Sequence, residues 1–234
     1  MGQSMMTQTH LISQMLSMQS KYRLRASLSS EYVYGKYKAR NTQLKLDRDG
    51  IVKPITHNYD LVQYGKINEK NAVAKFIILE KKVPDFILQD QDENRFVQED
   101  YFTCSKGSVD LSATPDGVLP GGLLEVKCPD LGRSCFEKGF PEQYICQIVM
   151  QQMVVNNQDN GYDIDHTYFM GWTPWKYKLW VYERNLEFEQ YVDDALKEYA
   201  EALVNGGEVR KKPKDYKKVL ADAISKIKLI KKGD

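Results

Sequence analysis

Residues 111–128 read LSATPDGVLPGGLLEVKC, and this stretch decides the fold that the sequence predicts. Two turn signals, Pro115-Asp116-Gly117 and Pro120-Gly121-Gly122, divide it into short apolar runs. Proline and glycine at such positions end one extended segment and begin the next. The pattern therefore predicts adjacent β-strands joined by tight turns.

The last of these runs carries two charged residues, Glu125 and Lys127. Side chains two positions apart on a strand point to the same face, so these two share one side while Leu124 and Val126 take the other. Asp116 stands at the mouth of the turn that leads into the adjacent strand, and it can reach the side of Glu125. The stretch thus predicts two carboxylates and one amine close together.

Two carboxylates brought together repel each other and lose hydration, unless a divalent cation sits between them. Oxygen ligands select a hard ion, so we expect Mg²⁺ or Mn²⁺ as the cofactor. Such an ion, held by Asp116 and Glu125, would activate water for attack on a phosphodiester. Lys127 would orient that water and stabilise the developing charge. Glu69, from a predicted helix, would complete the metal shell.

A plain amphipathic hairpin with an exposed Glu-Lys pair explains the same local pattern. Acid-x-Lys triplets arise by chance, and two others occur in the chain, Glu80-Lys81-Lys82 and Asp215-Tyr216-Lys217. Neither follows a Pro-Asp turn or lies in an apolar strand. Residue types and spacing alone leave the nuclease and hairpin interpretations both open.

Helical patterns precede the stretch. The sequence predicts a short helix over 10–20 and another that starts at Ser29-Ser30-Glu31. The charged segment 42–58 is predicted to be a mobile connection. Over 59–82 apolar residues recur at helical spacing, which places Glu69 inside a long helix.

Strand patterns surround the stretch, and further helices follow. Strands are predicted at 86–88, 95–97, 101–104, 108–112, 167–172 and 177–183. Helices are predicted over 141–156 and 186–204, the second ending at Gly206-Gly207. Together these elements predict an α/β fold of mixed α+β type, with one central mixed β-sheet flanked by helices.

Composition indicates a single folded domain with a basic tail. The chain is 42% hydrophobic and 28% charged, which is typical of a globular protein. Residues 208–234 hold ten Lys/Arg and four Asp/Glu, a net charge of +6, whereas the other 23 basic and 28 acidic residues give −5. We predict a nuclease domain over 1–207 and a helical tail over 208–234. The tail suits contact with phosphates, and a merely solvated basic helix explains it equally well.

Several classes of protein and site are disfavoured. The sequence has no run of eighteen apolar residues and no signal-peptide pattern, so we expect no membrane segment. The four cysteines lack paired short spacing and the three histidines do not lie near them in metal-ligand patterns, so we expect no zinc site. A reducing intracellular location, cytoplasmic or nuclear, follows from this cysteine usage.

Four motifs in this order resemble those of the PD-(D/E)xK nuclease superfamily, and within it the phage lambda exonuclease or YqaJ-like viral recombinase family. Thr-Pro-Asp116-Gly with Leu-Glu125-Val-Lys127-Cys-Pro is similar to the family's Ser-Pro-Asp-Gly and Glu-Leu-Lys-Cys-Pro signatures. Gly65 to Ala72 resembles its helical Gly-Lys-x-x-Glu-x-x-Ala motif, and Tyr144 to Gln147 its Tyr-x-x-Gln motif. Residues 21–31 resemble its N-terminal segment, although Gln19-Ser20 stands where the family often has Trp-His.

The resemblance implies a restriction-endonuclease-like core and a 5′→3′ exonuclease that degrades one strand of linear double-stranded DNA, leaving 3′ single strands for recombination. It implies metal binding by Asp116, Glu125, Glu69 and Val126, with Lys127 acting on water and Gln147 supporting the site. It assigns the terminal phosphate of the substrate to Arg23 and Ser30. It also implies a ring-shaped trimer, a single-strand annealing protein as partner, and a virus or phage as the source of the gene.

Alternatives remain at several points. The chain could be an endonuclease of the same superfamily, or a DNA-binding subunit without catalysis. Gln147 could lie on a solvated helix face with Gln143 and Gln151. The three tryptophans, Trp172, Trp175 and Trp180, are predicted to be core or subunit contacts rather than stacking platforms for DNA bases.

Overall fold

A computed structural model describes residues 22–35, 37–51, 59–84, 86–87, 102–106, 109–129, 137, 139–158, 161–210 and 216–233. The helix predicted over 10–20 and the strand predicted at 95–97 lie outside these residues. Within them the chain forms a mixed α/β structure of helices and mixed sheets, which confirms the predicted fold class.

The helices of the described chain, apart from α2, fall close to their predicted places. They are α1 (Ser29–Val33), α2 (Tyr37–Arg48), α3 (Tyr59–Glu80), α4 (Ile145–Asn156), α5 (Leu186–Asn205) and α6 (Tyr216–Ser225). The end of α5 follows from its glycine, because Gly206 has φ +82° and caps the helix in the left-handed conformation that glycine adopts without strain.

The strands form two sheets in the described residues, where the sequence predicted one. They are β1 (Tyr22–Arg25), β2 (Phe86–Ile87), β3 (Phe102–Lys106), β4 (Val109–Ala113), β5 (Gly117–Leu119), β6 (Gly122–Lys127), β7 (His166–Trp172), β8 (Tyr177–Glu183) and β9 (Lys228–Gly233). The larger sheet has the order β2-β5-β6-β7-β8-β9, with β6 and β7 parallel and its other pairs antiparallel. The smaller sheet has the order β1-β4-β3.

Two apolar layers hold the larger sheet in place. On one face Leu123, Phe169 and Trp180 belong to the core that α4 and α5 complete. On the other face the alternate residues, Leu124 and Met170 among them, pack with α3. Because β6 is covered on both sides, only its carboxyl end leaves room for polar side chains.

The prediction of a mobile connection over 42–58 is wrong for residues 42–48, which belong to helix α2. This helix is largely polar, and besides the buried Leu44 its buried arginine and a second arginine dock it through hydrogen bonds. Buried Arg40 donates from Nε to the carbonyl of Tyr32 at 2.7 Å, and Arg48 donates from Nη2 to the carbonyl of Ala202 at 2.7 Å. A search for apolar periodicity does not detect such docking.

The basic tail contains more than the predicted helix. Its described part forms α6 and then strand β9, which pairs antiparallel with β8 at the edge of the larger sheet. Lys231 of this strand forms an ion pair with Glu80 of α3 at 2.7 Å. The division of the chain at residue 207 remains a prediction.

Candidate active site

Glu125 lies near the carboxyl end of β6, on the face that α4 covers. It is 1% exposed, and an ionised carboxylate at such a position must be hydrogen-bonded or paired. Lys127 lies two residues further along the same face, as the strand period predicted, and its ammonium group donates to Glu125 Oε1. The Lys127 side chain remains 28% exposed, so the pair opens to solvent on the lysine side.

Helix α4 supplies two glutamines that hold the carboxylate of Glu125. Gln147 Nε2 donates to Glu125 Oε1 at 2.6 Å, and Gln151 Nε2 donates to Glu125 Oε2 at 2.6 Å. Both glutamines are buried, which excludes the solvated helix face for them, whereas Gln143 is exposed. Gln151 was not among the residues predicted for the site. Its spacing of four from Gln147 places both on one helix face and was the available signal.

Asp116 lies just before β5 and is fastened to β6 by its side chain. The main-chain N–H of Val126 donates to Asp116 Oδ2 at 2.6 Å. Burial, and then the charge of Glu125, raise the pKa of Asp116 well above its usual value, against the opposing effect of Lys127. The charge of Glu125 thus acts on Asp116, so the two carboxylates lie close together, as the sequence predicted for this turn and strand.

Glu69 comes from α3, which packs on the other face of β6. Burial raises the pKa of this half-buried carboxyl, with Lys127 lowering it and Glu125 raising it. Glu69 therefore lies close enough to Lys127 and Glu125 for their charges to affect its pKa.

Lys127 is the cation of this cluster. Burial lowers its pKa, but the charges of Glu125 and Asp116, the hydrogen bond to Glu125 and the nearby Tyr144 outweigh that effect, so the net shift is upward. The ammonium lies 5.4 Å from the centre of the Tyr144 ring, within the range of cation–π attraction. It is protonated at neutral pH, which suits binding to an anion better than removing a proton.

Val126 was predicted to be a metal ligand, and the structure limits how it could act. Its side chain is apolar and buried on the opposite face of β6, so only its main chain remains available. In the described part of the chain, His, Cys, Asp and Glu side chains form no group of three or more that could hold a metal ion by themselves. Main-chain or water oxygens would therefore have to complete any metal site here.

The predicted phosphate-binding residues belong to two further elements, β1 and α1. Arg23 is an exposed residue of β1, level with Asp110 of β4. Ser30 is half-buried in the first turn of α1, and α1 packs against α4, the helix that carries Gln147. Their role as phosphate ligands remains a prediction.

The charge balance decides what the cluster can do. Three carboxylates, Asp116, Glu125 and Glu69, surround one ammonium group, and Glu125 already has donors on both oxygens. Such an arrangement favours an added cation or a polar substrate that brings one. No helix in the described residues is both long and apolar enough to cross a membrane.

Comparison with known proteins places this geometry in context. The family model of the YqaJ-like viral recombinase domain matches residues 12–159, a range that includes all the predicted site residues. No curated protein matches the chain.

Two solved structures share its fold. The alkaline exonuclease LHK-Exo from Laribacter hongkongensis aligns with a TM-score of 0.54 and 20% identity, over 78% of this chain and 90% of that one. The same exonuclease in complex with dAMP aligns with a TM-score of 0.54 and 19% identity, over the same shares of the two chains. At such low identity the likeness shows the fold alone. The family model, by contrast, matches residues 12–159, well over half of this chain. The chain therefore belongs to the family of YqaJ-like viral recombinase domains.

Proposed function

We propose that this chain is a metal-dependent DNA exonuclease that degrades linear double-stranded DNA from its ends in the 5′→3′ direction, leaving 3′ single strands for recombination. One observation carries the proposal. Asp116 and Glu125 share the end of β6 with the ammonium of Lys127, and two buried glutamines fix the carboxylate of Glu125.

The donor set fits a hard divalent cation. Burial first, and then repulsion by Glu125, raise the pKa of Asp116, and the ammonium of Lys127 does not reverse that shift. Oxygen ligands favour Mg²⁺ or Mn²⁺. Asp116 and Glu125 would hold the ion through carboxylate oxygens, and Glu69, which forms no three-residue metal-binding group with them, would complete the shell through a water ligand. Val126 would use its carbonyl, because the N–H and C=O of one strand residue point the same way and its N–H points to Asp116.

The residues of the chain divide the work of hydrolysis. A bound Mg²⁺ would lower the pKa of water and neutralise charge on the phosphate. Lys127, held between Glu125 and the ring of Tyr144, would orient the attacking water and stabilise the negative charge of the transition state. Gln147 and Gln151 keep Glu125 in one orientation, which avoids a reorganisation cost during the reaction.

The related protein of similar fold supports the exonuclease activity over an endonuclease or a non-catalytic binding subunit. That protein is an alkaline exonuclease, and one of its structures contains dAMP. The retention of Asp116, Glu125 and Lys127 together also argues against an inactive subunit, because a degenerate site would be expected to lose at least one of them.

The biological setting completes the proposal. We propose that the enzyme binds double-stranded DNA ends, assembles as a homotrimer, and works with a single-strand annealing protein. We also place it in a virus- or phage-infected cell, in the cytoplasm or nucleus. The family match supports a DNA substrate and a viral or phage source, and the trimer and the annealing partner rest on the resemblance of the sequence motifs alone. Light scattering of the purified protein would measure the assembly directly, and a monomer would contradict the trimer.

The test is digestion of a linear duplex labelled at one 5′ end, with and without a 5′-phosphate, over a range of Mg²⁺ concentrations. We expect metal-dependent release of the labelled nucleotide, faster with the phosphate. A covalently closed circle should remain intact, because an exonuclease needs an end. Cleavage of the circle would indicate an endonuclease, and no product at any Mg²⁺ or Mn²⁺ concentration would indicate a binding subunit. If Arg23 and Ser30 hold the terminal phosphate, Arg23→Ala should abolish the preference for phosphorylated ends.

A further inference from the structure

A row of residues crosses the larger sheet from the candidate active site to its far edge. Lys127 of β6 is level with Gly171 of β7, Gly171 with Lys178 of β8, and Lys178 with Lys232 of β9. Residues that are level on neighbouring strands point to the same face. The three lysines therefore lie on one face, with the buried Gly171 between the first two.

The spacing of this row suits a nucleic acid strand. Neighbouring strands are about 4.8 Å apart, so the Cα atoms of Lys178 and Lys232 lie roughly 10 Å and 14 Å from that of Lys127. A DNA strand carries one phosphate for about every 3.4 Å of helix axis, so a strand along this row offers a phosphate to each ammonium group.

The lysines of β9 differ in whether they form an ion pair with an acidic residue. Lys228 pairs with Glu183 at 2.7 Å and Lys231 pairs with Glu80 at 2.7 Å. Lys232 is exposed and forms no ion pair with any residue that the structure describes. Lys232 is thus the lysine of β9 without an acidic partner among the described residues, and it is also the one level with Lys178 and Lys127.

An exposed tryptophan stands beside this row. Trp175 lies in the turn between β7 and β8, at the end of the sheet where Lys127 lies, and it is 60% exposed. Hydrogen bonds fix the turn, since Thr173 N donates to the carbonyl of Lys176 at 2.8 Å and Lys176 N donates to Thr173 Oγ1 at 3.0 Å. Trp180, by contrast, is buried in the core as predicted, whereas the exposure of Trp175 contradicts a place in the core for that residue.

We propose that Lys178, Lys232 and Trp175 form a binding surface for single-stranded DNA that continues the active site. The lysines would contact successive phosphates, and the indole of Trp175 would stack on an unpaired base. Basic residues that follow a backbone beside an exposed aromatic are how proteins bind single strands without sequence preference. The surface rests on the proposed function, because it needs Lys127 to mark the reacting phosphate. It also gives part of the basic tail a role.

The test compares variants for binding of a fluorescein-labelled oligothymidine of twenty nucleotides, by fluorescence anisotropy in EDTA at several salt concentrations. Lys178→Ala with Lys232→Ala should weaken binding about tenfold or more and reduce the slope of log K against log salt by about 1.4, or about 0.7 for each lost contact. Trp175→Ala should weaken binding about tenfold without changing that slope, and Trp175→Phe should retain part of it.

The matched control removes the same charge elsewhere. Lys217→Ala with Lys218→Ala changes two exposed lysines of α6 and should leave the affinity unchanged. The single variant Lys232→Ala, at an exposed position, keeps the test valid if the double variant does not fold. Equal affinity of the wild type and both sets of surface variants, or an equal loss in the α6 control, would overturn the proposal.

Cleavage separates this inference from the proposed function. If the wild type digests linear duplex and its surface variants bind oligothymidine normally, the proposed single-strand surface is refuted and the nuclease proposal stands. If the wild type cleaves no DNA but the variants bind oligothymidine more weakly as expected, the nuclease proposal is refuted and the surface stands.

Discussion

Glu125 is the residue on which the site is built, because three side chains converge on its two oxygens. Lys127 and Gln147 donate to Oε1, and Gln151 donates to Oε2. These hydrogen bonds fix the direction of the carboxylate. Gln151 is fully buried, and its own Oε1 has no hydrogen-bond partner among the residues that the structure describes, a cost that is consistent with a role in the site.

Replacing Gln151 by Met should reduce DNA cleavage by about 10- to 100-fold, the usual cost of losing a group that orients a metal ligand. The Mg²⁺ concentration for half-maximal rate should rise, because Glu125 loses a donor on Oε2. Steady-state digestion at varied Mg²⁺ measures both quantities. Gln143→Met, on the exposed part of the preceding turn, serves as the control and should behave as the wild type. Unchanged metal dependence in the Gln151 variant would show that this hydrogen bond has no part in metal binding.

Asp116→Asn should separate stability from activity. Asn can still accept the hydrogen bond from Val126 N, but it removes a buried charge that Glu125 repels. We therefore expect a higher melting temperature for the metal-free variant at pH 8, together with loss of cleavage. Mg²⁺ should raise the melting temperature of the wild type and leave that of the variant nearly unchanged. A variant that melts lower than the wild type and is still stabilised by Mg²⁺ would contradict this account of Asp116.

The sequence predicted the part of the site that is local in the chain. Asp116, Glu125 and Lys127 lie within twelve residues, and strand alternation alone places two of them on one face. Glu69 and Gln147 entered through family resemblance, because no local rule links a helix residue to a distant strand. Gln151 could not be assigned to the site, since its burial depends on how α4 packs on the sheet.

Helix α2 shows how polar contacts dock an element. Arg40 reaches Tyr32 and, from Nη1, the carbonyl of Arg210 at 3.2 Å. Asp47 accepts a hydrogen bond from the hydroxyl of Tyr199 at 2.7 Å. These long-range bonds join α2 to α1 and α5. The sequence suggested a mobile connection because a polar, charged segment looks the same whether its arginines are solvated or buried.

Arg40→Leu should therefore destabilise the protein by about 2–3 kcal/mol, because it leaves the buried carbonyl of Tyr32 without its donor and removes the partly buried bond to Arg210. Urea denaturation followed by circular dichroism would measure the change in the free energy of unfolding. Lys38→Ala, an exposed position of the same helix, should change that free energy by less than about 0.5 kcal/mol. Equal effects of the two substitutions would show that the buried bonds of Arg40 contribute nothing.

The molecule as a whole includes its basic end. Val209 and Ala223 are buried in the main core, and β9 covers the edge of β8. The sequence could not show this, because the run of lysines after residue 207 resembles a solvated tail. Edge pairing depends on a strand 45 residues or more away in the chain.

A chain that ends at Gly207 should consequently be less stable than the full chain. It would lose two buried side chains and expose β8 as a new edge strand, which favours aggregation. We expect a lower melting temperature and a larger aggregated fraction by size-exclusion chromatography. The full chain with Lys217→Ala controls for the loss of tail charge. An unchanged melting temperature for the shortened chain would support the division predicted from the sequence.

The proposed function requires that the end of β6 binds a divalent cation. Diffraction from a crystal soaked in Mn²⁺, recorded at an X-ray wavelength at which manganese scatters anomalously, is the most direct test of this binding. We expect a peak of anomalous density within bonding distance of the carboxylates of Asp116 and Glu125, on the side of the Val126 carbonyl. Saturating Mn²⁺ that leaves no peak beside those carboxylates would contradict the assignment.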